Sequence, residues 1–92
     1  MPETTFYTVE KGTVGEKEER LGYFSTLAEA REEAKAALGV PLKGRLAKEE
    51  KSEHLLGQGI VWMKTYIQPV KRFKEALLGE IPANVVIVKF VD

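Results

Sequence analysis

The chain has 92 residues, of which 43% are apolar, and its 14 basic and 14 acidic side chains give a formal charge of zero. This length predicts a single domain over residues 1–92 with one modest core, and the apolar content excludes an intrinsically disordered chain. The zero total charge excludes an acidic DNA mimic and a strongly basic nucleic-acid coat protein, and the absence of cysteine excludes disulfides, thiolate metal sites and cysteine nucleophiles.

The first predicted elements form a β-hairpin with a long polar tip. Residues 4–10 and 21–25 are rich in β-branched and aromatic side chains, which is typical of strands. The intervening residues 11–20 are highly charged and include Gly12 and Gly15, which suit turn positions. We expect a solvated loop there, and a mobile contact loop is the functional alternative.

A capped helix follows the hairpin. In the motif TLAE, the Thr26 hydroxyl can accept a hydrogen bond from the N–H of Glu29, whose carboxylate can reach back to the N–H of Thr26. Gly39 suits the left-handed residue after a helix, and Pro41 prevents its continuation. The apolar side chains form one stripe that can pack closely on a sheet: Leu27, Ala30, Ala34, Ala37 and Leu38.

The second half of the chain predicts at least two further strands. Residues 42–53 fit an edge strand, a short helix or a loop, whereas residues 60–68 alternate as a strand does. Residues 84–91 are rich in β-branched side chains and predict a central strand covered on both faces. The order β–β–α–(β)–β–α–β predicts a two-layer α+β domain, with one or two helices against a mainly antiparallel sheet. Ubiquitin-like and ferredoxin-like arrangements both fit this order.

A second helix is predicted between these strands. Pro69 can open it, because the first turn of a helix does not need the missing N–H. Val70, Phe73 and Leu77 follow at positions i, i+3 and i+7, and Gly79 closes the segment. This spacing predicts that the three apolar side chains pack on the sheet.

The strand at residues 60–68 has two faces of different character, and we expect the more apolar set to point into the core: Val61, Met63, Thr65 and Ile67. The opposite set combines two aromatic side chains with a lysine: Ile60, Trp62, Lys64, Tyr66 and Gln68. An aromatic and basic face of this kind is typical of a contact surface for a partner.

Basic residues follow the same strand, within a half of the chain (residues 43–92) whose net charge is +3 against −3 for residues 1–42. The candidate site for a protein partner or a nucleic acid is therefore Trp62, Lys64, Tyr66, Lys71, Arg72 and Lys74. Nucleic-acid bases can stack on aromatic rings while cations hold the phosphates. The alternative is that both rings lie in the core beneath a helix, that Lys64 extends to the edge, and that the three bases occupy a solvated helix face.

Catalytic, cofactor and metal motifs are absent from the sequence. His54 has Glu53 beside it, but no nucleophile motif and no second histidine at metal-binding spacing accompany the pair. Gly57 and Gly59 are too few for a phosphate-binding loop and predict a bulge or turn before the next strand. We therefore expect no enzyme, no cofactor and no metal, and an enzyme that uses His54 is the least favoured alternative.

The segment LGYFSTLAEAREEAKAAL (residues 21–38), preceded by FYTVEKG, resembles small accessory proteins of phages and mobile elements. Those proteins combine a polar-tipped hairpin with a capped Ala/Glu helix, and some anti-CRISPR proteins share this size and layout. The likeness covers about the first 40 residues and carries over no site residue. It implies an inhibitor without enzymatic activity that blocks its target by steric contact.

These observations together predict a cytoplasmic interaction module that docks on a protein or ribonucleoprotein complex. The alternative is a single-stranded RNA- or DNA-binding domain that uses the aromatic and basic face. A homodimer that pairs this face with itself is a third arrangement. We expect no membrane contact, because no apolar run approaches the ~20 residues of a membrane span and the N-terminus lacks the pattern of a signal peptide.

Overall fold

The computed structural model describes residues 4–51 and 59–91, and it has the predicted α+β architecture. The strands are β1 (Thr5–Gly12), β2 (Glu19–Phe24), β3 (Leu46–Glu50), β4 (Ile60–Ile67) and β5 (Asn84–Val91). The helices are α1 (Leu27–Leu38) and α2 (Phe73–Leu77), and a 3₁₀ turn at Val70–Arg72 leads into α2. The predicted order of strands and helices is confirmed, and the ambiguous residues 42–53 contribute strand β3.

The five strands form one sheet in the order β2-β1-β5-β4-β3, and every neighbouring pair is antiparallel. Strand β5 lies at the centre, as the sequence predicts. Its Val88 is opposite Thr8 on β1 and opposite Met63 on β4. The β1–β2 and β3–β4 pairs therefore flank β5 on its two sides.

Helix α1 has the predicted capping residues, but the Glu29 carboxylate accepts a hydrogen bond from the Thr26 hydroxyl and not from the Thr26 N–H that the sequence predicted. The Glu29 N–H donates to Thr26 Oγ1 at 3.2 Å, and the Glu29 carboxylate accepts from the Thr26 hydroxyl at 2.9 Å. Gly39 follows the helix at φ 82°, and its N–H donates to the Lys35 carbonyl at 2.8 Å. Glycine adopts this left-handed conformation without the steric cost that a Cβ would impose.

The hydrophobic core lies between α1 and one face of the sheet. The helix faces the sheet through small side chains, since Ala30 and Ala34 are both 0% exposed. The cluster of buried residues is Val9, Ala30, Ala34, Leu38, Leu42, Trp62, Tyr66, Val85 and Ile87. Small side chains on α1 allow its backbone to approach the sheet closely, so the larger side chains of the core come mainly from the strands.

The second helix is shorter than the sequence predicts. Pro69 has an extended backbone, the next residues form the 3₁₀ turn, and only Phe73–Leu77 are α-helical. Gly79, at φ 76°, follows within two residues of its end. So short a helix is not stable on its own, and only tertiary contacts can hold it. None of the helices in residues 4–51 and 59–91 has the length and apolar character needed to cross a membrane.

Candidate interaction surface

From Trp62 onward, the two faces of β4 have the opposite roles from those predicted, whereas Val61 packs against the core as expected. Trp62 is 9% exposed, Tyr66 is 4% exposed and both belong to the core on the α1 side of the sheet. On the other face, which was expected to form the core, Met63 and Thr65 are half-buried. The interpretation of Trp62 and Tyr66 as an exposed contact face is therefore wrong. Both rings lie in one buried cluster with the α1 side chains Ala30, Ala34 and Leu38.

Trp62 and Lys64 are held by neighbours within the domain. The Trp62 ring lies 6.0 Å from the Tyr7 ring, and Lys64 Nζ lies 4.7 Å from the Trp62 centroid. Lys64 Nζ is also 3.7 Å from Glu49 Oε1 on β3. The Lys64 ammonium thus already interacts with a ring and a carboxylate of the same chain, and it would have to give up these contacts to bind a phosphate.

Tyr66 is anchored by α1 as well. Its hydroxyl accepts a hydrogen bond from Arg31 Nη1 at 3.1 Å, and the Arg31 guanidinium carbon is 6.0 Å from the ring centroid. A buried tyrosine needs a partner for its hydroxyl, and here the partner is the helix that covers it.

Arg72 contacts the end of α1. Its Nη1 donates to the Leu38 carbonyl at 3.4 Å and would lie 3.0 Å from a Cβ added at Gly39. The last carbonyls of a helix have no partner within the helix and carry a partial negative charge, so a cation there is favourable. Arg72 therefore has a structural contact, whereas Lys71 and Lys74 are exposed.

Gln68 completes the same junction. Its side chain is 1% exposed, and its Nε2 donates to the Leu38 carbonyl at 2.7 Å and to the Pro82 carbonyl at 2.9 Å. The Gln68 N–H donates to the Ala83 carbonyl at 3.0 Å. One residue at the end of β4 thus joins the end of α1 to the segment that precedes β5.

The apolar stripe of the second helix does not pack as predicted. Val70 is 78% exposed, Leu77 is 72% exposed and Phe73 is 39% exposed, while Ala76 is the buried residue of α2. Helix α2 therefore buries a small side chain, Ala76, covers Phe73 only in part and leaves Leu77 largely open to solvent.

Two strand residues extend this apolar region, because Leu46 is 45% exposed and Ile67 is 39% exposed. We use the name α2 surface for the following five exposed apolar residues: Leu46, Ile67, Val70, Phe73 and Leu77. They line two clefts that both include Ile67 and Phe73, so the clefts lie side by side. One cleft, of about 260 Å³, is bounded by Leu46 and Val70. The other, of about 230 Å³, is bounded by Leu77.

Arg45 lines the larger cleft. It is half-buried, and its Nε is buried without a hydrogen-bond acceptor among the described residues. A partly desolvated cation without a counter-ion is energetically unfavourable, and it gains from any carboxylate that reaches it. The sequence pattern did not reveal this surface. Its one signal was the apolar spacing from Val70 to Leu77, which fits a packed helix as well as an open one.

The sheet face opposite α1 has its own aromatic cluster. The Phe6 and Phe90 rings stack with centroids 4.9 Å apart, and Tyr23, which is 66% exposed, lies 6.1 Å from Phe6. Arg20 donates to the Tyr23 hydroxyl at 2.8 Å and to Glu10 Oε1 at 3.0 Å. The hydrogen bond to Tyr23, followed by that to Glu10, raises the pKa of the Arg20 guanidinium. This face therefore has internally paired charges.

The residues considered for catalysis and phosphate binding, Glu53, His54 and the glycine at 57, lie outside the described residues. Gly59 is at a turn with φ 77°, and its carbonyl accepts from the Val91 N–H at 2.8 Å. Within the part of the chain that the structure describes, no three acidic or histidine side chains are grouped to hold a metal ion.

Comparison with protein-family models, with curated protein sequences and with solved structures found no match to this chain.

Proposed function

We propose that the chain is a non-enzymatic, cytosolic interaction module that docks on a protein or ribonucleoprotein partner through the α2 surface. The observation that carries the proposal is the exposure of five large apolar side chains, each at least 39% exposed, around two adjoining clefts. Isolated exposed apolar residues are ordinary, whereas a contiguous group of them marks an interaction site.

The energetics favour docking at this place. Full burial of a side chain such as Val, Leu or Phe contributes about 1.5–3 kcal/mol, so Val70 and Leu77 retain most of their apolar stabilisation for a partner. We expect the stability of the domain to depend little on them, because both side chains are largely exposed. A few well-placed apolar anchors usually supply most of the affinity of an interface.

The resemblance to anti-CRISPR proteins agrees with this mode of action, since steric blocking needs a docking face and no catalytic group. Lys71 and Lys74 remain part of the proposed site, as bases at its rim that speed association with an acidic partner. Trp62 and Tyr66 do not, because both are buried in the core.

Single-stranded nucleic-acid binding is the weaker candidate. Its stacking platform was the pair of rings at Trp62 and Tyr66, and both are buried. A platform of this kind needs ring faces open to the bases, at about 1–3 kcal/mol for each stacked base. The remaining exposed bases of the candidate site, Lys71 and Lys74, would neutralise too few phosphates for tight binding.

Site-specific cross-linking tests the proposal. A photo-reactive amino acid in place of Leu77 should capture a partner in the host cell, while the same group in place of Glu32, on the exposed side of α1, should not. The captured protein is then purified and titrated with the wild type and with the Val70→Ser/Leu77→Ser double variant. We expect at least about a tenfold loss of affinity for the variant, since two apolar anchors are removed. Equal affinities, or no capture through position 77, would reject the α2 surface.

A further inference from the structure

We infer that the partner offers an acidic, amphipathic segment to the α2 surface, with apolar side chains in the two clefts and carboxylates on the bases around them. This inference rests on the docking function proposed above and adds the chemistry of the partner. It is carried by the size of the clefts and by the distribution of paired and unpaired charges.

The clefts have the size of side-chain sites. At about 260 and 230 Å³, each is smaller than the roughly 300–1,000 Å³ of small-molecule pockets. The smaller cleft is largely apolar, with Phe73, Ala76 and Leu77 in its wall. Two adjoining clefts that share the side chains of Ile67 and Phe73 fit two successive apolar anchors of one segment, as in recognition of an amphipathic helix by a groove.

The charges near the α2 surface are mainly basic: Arg45 lines the larger cleft, and Lys71 and Lys74 follow Val70 and Phe73 in the sequence. Lys71 and Lys74 are exposed, and none of the three bases forms a salt bridge with another described residue. The salt bridges found in the described ranges involve other bases: Lys11, Arg20, Lys48, Lys51 and Lys64. The cations next to the exposed apolar side chains are therefore free to meet carboxylates of a partner.

Glu75 is the single acid in the segment from Val70 to Leu77, against three bases. The local charge thus favours an acidic partner over a basic one. A nucleic-acid backbone would also meet the cations, but it has no apolar side chains for the clefts. An acidic amphipathic segment satisfies both features at once, and we therefore favour it.

The experiment is an NMR titration of the ¹⁵N-labelled protein with a designed probe. The probe is a peptide of about 15 residues, with leucines at helical i, i+3, i+4 and i+7 spacing and glutamates on the other positions. A second peptide carries lysine in place of every glutamate, and oligouridylate provides a nucleic-acid probe. We expect amides in residues 67–78 to shift with the acidic peptide, which should bind about tenfold more tightly than its lysine counterpart.

Matched charge variants show which lysines determine the affinity for the acidic peptide. Lys71→Glu/Lys74→Glu should weaken binding of the acidic peptide by about tenfold, because it replaces two attractions with repulsions. Lys17→Glu/Lys35→Glu makes the same change in net charge at exposed positions elsewhere and should alter the affinity by less than about twofold. A thermal unfolding curve for each variant shows that the fold is retained.

Each contrary result has a separate meaning. Equal binding of the two peptides, or no shifts with the acidic one, overturns the acidic partner but leaves the docking function to the cross-linking test at Leu77. Shifts of α2 by oligouridylate alone overturn the inference in favour of a nucleic acid. Failure of cross-linking at Leu77, whatever the peptides do, rejects the docking function itself.

Discussion

Gln68 is a buried polar side chain that links the end of α1 to the segment before β5. It donates to a carbonyl at the end of α1 and to a carbonyl before β5. A buried carbonyl that loses its donor is left with the desolvation cost and no compensation. Gln68 therefore contributes to stability through two elements that are distant in sequence.

Replacement of Gln68 should be costly in a way that depends on the new group. Gln68→Leu should lower the free energy of unfolding by about 2 kcal/mol, because the Pro82 carbonyl loses this donor and the Leu38 carbonyl retains only its 3.4 Å hydrogen bond from Arg72. Gln68→Glu should cost more at neutral pH, because a carboxylate then faces those carbonyls. It should regain stability as the pH falls, because a protonated carboxyl can donate and the folded state then binds the proton more strongly. Urea unfolding measures both, and a Gln68→Leu variant as stable as the wild type would contradict the assignment.

Trp62 provides an optical test of the corrected face of β4. Its emission should be blue-shifted relative to N-acetyltryptophanamide in water, because the ring is 9% exposed. The emission should remain unchanged when single-stranded RNA or DNA is added at low or high salt, and should shift to the red in urea. A red-shifted emission that nucleic acid quenches would show instead that the ring is accessible.

The sequence predicted the alternation of β4 but not its direction. Period two separates Trp62 and Tyr66 from Met63 and Thr65, yet it does not say which set faces a helix. Both sets carry apolar groups, and the set that points into the core is the one on the side of the sheet where α1 packs. That side is decided by contacts distant in sequence, such as the one between Arg31 and Tyr66.

At the scale of elements, α1 lies close on the sheet because its buried positions are small. Ala34→Leu should destabilise the domain by about 1–3 kcal/mol, because the larger side chain must push the helix away from the strands. Ala36→Leu adds the same group at an exposed position of the same helix and should be close to neutral. Thermal unfolding of the two variants makes the comparison, and equal effects would mean that α1 does not pack through Ala34.

In the segment that contains α2, we expect the large apolar side chains to matter little for stability and the small one, Ala76, to matter more. Val70→Ser and Leu77→Ser should each change the free energy of unfolding by less than about 0.5 kcal/mol, since both side chains are largely exposed. Ala76→Leu should be destabilising, because Ala76 is 4% exposed. Urea unfolding distinguishes these outcomes, and a large loss for Leu77→Ser would indicate that this side chain is covered in solution.

The two helices also show when local sequence signals are sufficient to predict a helix together with the face that it buries. For α1, the capping residues, Gly39 and the alanine stripe agree with one another, and the structure confirms both the helix and its buried face. For α2, the spacing of Val70, Phe73 and Leu77 indicated an amphipathic helix but could not show whether anything covers its apolar side. A short segment after a proline has too few contacts to make that prediction from local information.

At the scale of the whole molecule, the order of strands predicts an uneven resistance to local opening. Strand β5 is paired on both sides, whereas β2 and β3 are edges. Amides of β5 should therefore exchange with solvent deuterium most slowly, and those of β2 and β3 much faster, because opening an edge breaks one ladder only. Hydrogen exchange followed by NMR measures this order. Equal protection of β3 and β5 would contradict the sheet order.

The sequence predicted the class of the fold because strands and helices have local signatures, but it did not predict the neighbours of each strand. Thr5 lies opposite Val91, and no local pattern reports a pairing between the two ends of the described chain. The α2 surface was missed for the same reason, since Leu46 and Phe73 meet at one cleft only after β3 has paired with β4.

The central position of β5 also has a consequence for protein synthesis. Until residues 84–91 have left the ribosome, the nascent chain can form the β1–β2 and β3–β4 pairs but cannot join them. The inner strands, β1 and β4, then present open N–H and C=O groups of the kind that recruit foreign strands. A message truncated before the codon for Asn84 would therefore direct synthesis of a substrate for chaperones and proteases, and not of a smaller working domain.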